Sequence, residues 1–68
     1  MTALRSAVAF LNRERRAGRI HQWGLERGSQ HQGWFAWVTP PRGYQAFASS
    51  RNPLTAAKHA VSGALEKP

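Results

Sequence analysis

Arg5, Asn12 and Arg16 stand seven and four residues apart, which at 100° per residue brings all three to one side of a helix. Arginine offers a planar fork of donors that matches phosphate oxygens, and asparagine donates and accepts at once. This face can therefore grip a polyanion. Arg13 lies further round the same helix. Ala9 falls inside the polar face, so nothing bulky holds a ligand away. Any small surface helix also carries a charged side, and the rest of the chain must decide between the two readings. Ser29, Gln30 and His31 add polar groups in the glycine-bounded stretch Gly28–Gly33. Arg42 sits in Pro40-Pro41-Arg42-Gly43, and Arg51 and Lys58 accompany the start of the last apolar segment.

Catalytic chemistry finds no comparable set. The chain has no Asp and no Cys, and Glu14, Glu26 and Glu66 are far apart. No Ser-His-acid spacing and no glycine-rich phosphate loop opening onto a helix is present. His21, His31 and His59 are scattered without Cys or Asp beside them, which is not a metal-ligand pattern. The expectation is a protein without catalytic residues, metal or cofactor.

Composition points the same way. Ten Lys and Arg, eight of them Arg, face three acids, for a net charge of +7 in 68 residues. Such a balance favours RNA, DNA or an anionic surface as partner and disfavours mimicry of DNA. A hydrophobic fraction of 41% with three Trp, three Phe and one Tyr is too apolar for a disordered chain. The length allows one domain, residues 1–68, with a core that neither disulfides nor cysteine-bound zinc can reinforce. No apolar run approaches the ~20 residues of a membrane span. Arg5 and Asn12 interrupt the run that a signal peptide needs. The expected location is the cytoplasm, and the oligomeric state is left open.

The elements that must position these residues follow from periodicity. Thr2 to Ala17 predicts a helix with Thr2 as cap, Gly18 as its left-handed end and Leu4, Ala7, Val8 and Leu11 as its apolar stripe. Ile20–Arg27, Trp34–Thr39 and Tyr44–Ser49 predict three strands. Asn52-Pro53 predicts a cap and first position for a second helix, with Leu54, Ala57, Val61, Ala64 and Leu65 as its stripe and His59 toward solvent. The order is α-β-β-β-α, an α+β fold with both helices on one face of a three-stranded antiparallel sheet. If Phe35 and Trp37 of the middle strand face the helices, Trp34, and with suitable register Tyr44, lie on the open face, where they can stack bases, meet a protein or simply pack an edge.

This order, at this length, resembles the double-stranded RNA-binding domain. That family carries a Gly-Pro-x-His loop before its second strand, with a Phe four residues after the His. Gly28-Ser29-Gln30-His31 followed by Phe35 keeps the spacing, with Ser29 in place of Pro. The family's last helix ends Ala-Ala-x-x-Ala-Leu, and Ala60-Val61-Ser62-Gly63-Ala64-Leu65 is similar. The family's Lys-Lys-x-Ala-Lys cluster at the start of that helix is not kept. Pro53, Leu54 and Ala57 stand there, and a shift of one residue recovers only Lys58. The resemblance implies shape-selective binding of double-stranded RNA. Arg5, Asn12 and Arg16 would read from helix one, and Ser29, Gln30 and His31 from the loop. Arg51, Lys58 and Arg42 would supply the phosphate contacts. Two other readings stand beside it. One is a duplex DNA binder that uses the sheet or helix one. The other is a protein-interaction module, such as a small regulator or inhibitor, that docks through the open sheet face.

Overall fold

The computed structural model of the chain describes residues 2–28 and 33–65. Thr2 is extended, and its hydroxyl accepts from the Arg5 N–H at 3.2 Å, capping α1 (Ala3–Arg16). The helix closes where Gly18 takes φ 81°. The Gly18 N–H donates to the Arg15 carbonyl at 3.0 Å and the Arg19 N–H to the Glu14 carbonyl at 3.1 Å. This double closure needs a left-handed residue, a conformation glycine enters without a Cβ penalty. At the other end of the chain Asn52 caps α2 (Pro53–Leu65). Its Oδ1 accepts from the N–H groups of Leu54 (2.9 Å) and Thr55 (3.2 Å).

Between the helices β1 (Gln22–Arg27), β2 (Trp34–Thr39) and β3 (Ala46–Ser50) form an antiparallel sheet in the order β1-β2-β3. The fold is α-β-β-β-α, an α+β arrangement, as the periodicity predicts. Two strands start later than the apolar pattern suggests. Ile20 drops into the core straight after the Gly18 turn, so the chain joins the ladder only at Gln22. The last β2–β3 pair is Val38 with Ala46, which leaves Tyr44 outside the strand and 82% exposed.

Both helices lie on one face of the sheet. Ala7 and Leu11 of α1 share a buried cluster with Ala36 and Val38 of β2 and with Ala56, Ala57, Ala60, Val61 and Ala64 of α2. Trp23, Leu25, Trp34, Ala46 and Ala48 pack against it from the strands. The facing of β2 is therefore the reverse of the one that would put Trp34 on the open face. Ala36 and Val38 point to the helices, and Phe35 and Trp37 point away; Trp34 belongs to the helix side, not the open side. The centre of the α2 stripe also moves. Ala56 and Ala60 are fully buried, whereas Leu54 is half-buried and Leu65 exposed. One cause accounts for both differences. Alanines on α2, β2 and β3 let the helix lie close against the sheet, and large rings between these layers would force them apart.

Candidate nucleic-acid interface

On α1 the buried residues Ala7, Leu11 and Glu14 mark the inner side. Arg5, Ala9, Arg13 and Arg16 are exposed and fall on the outer side, so the helix presents three guanidinium groups along an otherwise low surface. Arg13 and Arg16, with Arg15, lie in the last turn, where the helix dipole favours cations. Arg5 is different. It is the third helical residue, in a first turn with no acidic side chain, where the dipole opposes a cation. Its charge is thus not explained by helix stability.

The internal electrostatics remove an acid from this balance. Glu14 is buried, and its carboxylate accepts both donors of the Arg19 fork, from Nε at 2.7 Å and from Nη2 at 2.8 Å. The Gly18 turn carries Arg19 back onto the helix to make this pair. The Arg19 hydrogen bonds hold the Glu14 carboxyl below its ordinary value against the opposing effect of burial. Among the described residues this is the one ion pair, and Arg5, Arg13, Arg15 and Arg16 take no part in it.

Asn12 has a different setting from its two neighbours on the helix. Its Oδ1 accepts from the Trp23 indole N–H at 3.3 Å in a partly buried position, tying α1 to β1. The acceptor that would read a 2′-hydroxyl is thereby engaged within the protein. Ser29, Gln30 and His31 lie outside the described residues.

The remaining cations divide between the two ends of the sheet. Arg51 directly follows β3 and lies against Gly33, where a Cβ would stand 3.5 Å from the Arg51 Cα and 2.9 Å from the Ser50 carbonyl oxygen. The segment leading into α2 therefore sits beside Gly33, at the start of β2. Arg42 is exposed in the β2–β3 turn at the opposite end of the sheet and does not join that group. It shares its end instead with the residues that lead from α1 into β1, where the His21 N–H donates to the Thr39 carbonyl. Lys58 is exposed on α2. The Arg27 guanidinium lies 5.6 Å from the centroid of the Trp34 ring, so this cation is held over an aromatic face. Trp34 thus packs on the core and under Arg27 and is not on the open face with Tyr44.

Sequence reasoning missed the residues that do occupy the open face. Phe35 and Phe47 stack with centroids 5.7 Å apart and planes 23° apart. The Trp37 indole lies across Gly24 of β1, so close that a Cβ at Gly24 would overlap ring atoms. Phe47 is 58% exposed. The signal was present in the alternation of Ala36 with Val38 and of Ala46 with Ala48, which marks a face built for close approach by an alanine-rich helix.

Among the described residues no three of His, Cys, Asp and Glu come together as a metal site, and no helix is long and apolar enough to cross a membrane. No protein-family model, curated protein or solved structure matches the chain.

Proposed function

We propose that this chain binds nucleic acid, double-stranded RNA in preference, through the outer face of α1. The observation that carries the reading is the unpaired row Arg5, Arg13 and Arg16 along an exposed helix, with Arg5 placed against the helix dipole. Arg51 and Lys58 on the α2 side supply further phosphate contacts. Asn12 serves mainly as the anchor that orients α1 over β1. Duplex RNA presents a wide minor groove that a helix with projecting arginines can follow by shape, without reading bases. The sheet is a poorer candidate for duplex DNA. By alternation its open face presents Gln22, Gly24, Glu26, Phe35, Trp37, Thr39, Phe47 and Ser49, among which there is no cation. A cytoplasmic location and a binding role without catalysis belong to the same reading.

Fluorescence anisotropy at two salt concentrations tests it. The ligands are a duplex RNA of about 20 base pairs, longer than the ~16 such a domain spans, the same sequence as duplex DNA, and single-stranded RNA. The expected result is tightest binding to duplex RNA, weakened by salt. Replacing Arg5 and Arg16 together by Ala should lower the log–log salt slope by about two, one for each lost phosphate contact. Equal, weak binding to all three ligands that disappears near physiological salt would reduce the +7 charge to general polyanion attraction and end the proposal.

A further inference from the structure

We infer that the open face of the sheet is the interface of a symmetric dimer, in which a second copy of this chain covers Phe35, Trp37 and Phe47. The inference rests on this face alone and stands whether or not α1 binds RNA.

Trp23 and Trp34 pack against the core, but three further large rings lie on the other side of the sheet. The largest fully buried side chains are Leu11, Ile20 and Val38, and much of the remaining core is alanine. Phe35, Trp37 and Phe47 instead form an aromatic ridge on the side without helices, the Phe pair stacked and the indole spread over Gly24. A sheet apolar on both faces needs a layer on each, and this fold supplies only one.

Charge decides what the second layer is. Single-stranded bases stack on exposed rings where cations nearby hold the phosphates. Here the strand residues facing outward include no Lys or Arg, and the one charged group is Glu26, opposite Phe35 in the β1–β2 register. Among the described residues the cations lie on the helices, in the connections and, at Arg27, on the helix-facing side of β1 over Trp34. A second copy fits this pattern. A two-fold axis through the patch sets ring against ring, with neutral Gln22, Thr39 and Ser49 around them, and turns both arginine-bearing helices outward. Three strands about 4.8 Å apart, each five to six residues long, present a face of a few hundred Å². That is below the ~800 Å² per partner of a standard stable interface and suits a weak dimer that separates on dilution. Sheets packed face to face sit about 10 Å apart, room for one interdigitated layer of aromatic rings.

The test is sedimentation equilibrium of the 68-residue chain over a range of concentrations at about 0.3 M salt, where repulsion between two +7 chains is screened. The expected mass is twice 7.6 kDa, falling to 7.6 kDa on dilution, with Trp emission moving to longer wavelength as the dimer separates. Phe47→Lys should abolish the dimer. Ser49→Lys, which adds a charge to the same face and removes no large apolar group, should weaken association at least tenfold while circular dichroism shows an intact fold. Arg5→Ala with Arg16→Ala should leave it unchanged. A wild-type chain that stays at 7.6 kDa throughout overturns the inference, as does a dimer that tolerates both lysine substitutions. A monomer whose single-stranded RNA binding is lost with Phe47→Lys also overturns it and makes the face a base-stacking surface.

Discussion

Gly24→Ala is the smallest change that questions the arrangement of the open face. A Cβ built on Gly24 stands 2.1 Å from Cε2 and Nε1 of Trp37 and 2.5 Å from Cζ2, so the indole must leave its place. Overpacking of this kind costs about 1–3 kcal/mol. Ala also restricts the unfolded chain, which returns roughly 0.4–1 kcal/mol. The net expectation is a loss of about 1–2 kcal/mol, a large part of the roughly 3–10 kcal/mol available to a domain of this length. At about 4–8 °C per kcal/mol for a small domain, Tm should fall by roughly 4–16 °C. Thermal and urea unfolding followed by circular dichroism, at one fixed protein concentration because association adds to stability, read this directly. The cause is isolated by repeating Gly24→Ala in a Trp37→Leu background, where the obstruction is gone and the substitution should be neutral or slightly stabilising. Equal costs in the two backgrounds, or no cost in the parent, would show that Trp37 does not lie across β1. The reasoning about the open face would then fail.

Three further outcomes follow from the same structure. The folded-state carboxyl of Glu14 is held below its ordinary value by Arg19, so its contribution is complete above the unfolded value near 4.5 and is lost as pH falls through the lower folded value. Tm measured from pH 6 to pH 3 should therefore drop more steeply for the parent than for Glu14→Gln, and parallel curves would remove the pair from the account. Asn12→Ala should cost about 0.5–1.5 kcal/mol through the lost Trp23 bond. It should change duplex RNA affinity far less than Arg16→Ala does, and the reverse ranking in anisotropy would return Asn12 to the interface. Asn52→Ala removes the acceptor for two N–H groups of α2 and should lower stability by about 1 kcal/mol, visible as a shifted urea midpoint with an unchanged slope.

Element order, both helix caps and the Gly18 helix end were legible in the sequence because each depends on short-range chemistry. Thr2, Asn52-Pro53 and Gly18 act within a few residues of themselves. The facing of β2 was not legible from its own residues. In Trp34-Phe35-Ala36-Trp37-Val38 either parity buries apolar groups, and ring size favours the wrong one. The decision lies in a partner distant in sequence, the alanines of α2, which leave a narrow gap over Ala36 and Val38 and admit rings only beside it, at Trp23 and Trp34. Asn12 illustrates the same limit. Its place beside Arg5 and Arg16 follows from helical spacing, but its bond to Trp23 depends on how α1 crosses β1, which no local pattern states. Arg42 and Arg51 look equivalent as loop cations, and only the antiparallel register sends them to opposite ends of the sheet.

The sidedness of the molecule follows from that narrow gap. Once alanines bring α2 close to the sheet, the rings of Phe35, Trp37 and Phe47 are displaced to the far face, and the cations of α1 remain on the near one. Aromatic area and positive charge are thereby separated by the thickness of the fold. A single surface combining rings with arginines would suit single-stranded nucleic acid; separation instead fits the two proposals, contact with a phosphate backbone at α1 and apolar association at the sheet. The two proposals then predict independent losses. Lysine on the sheet should abolish or weaken the dimer and leave each chain's RNA contact intact, and alanine at Arg5 and Arg16 should do the opposite. If both proposals hold, the dimer carries two outward arginine faces and binds one duplex with each. Joining the faces raises the effective concentration of the second contact. Wild-type chain should therefore cross-link duplexes in a pull-down of one labelled RNA by another, and Phe47→Lys should bind each duplex singly. Bridging by the Phe47→Lys monomer would show that the second RNA contact lies elsewhere on the chain, and the separation of roles argued from the fold would be wrong.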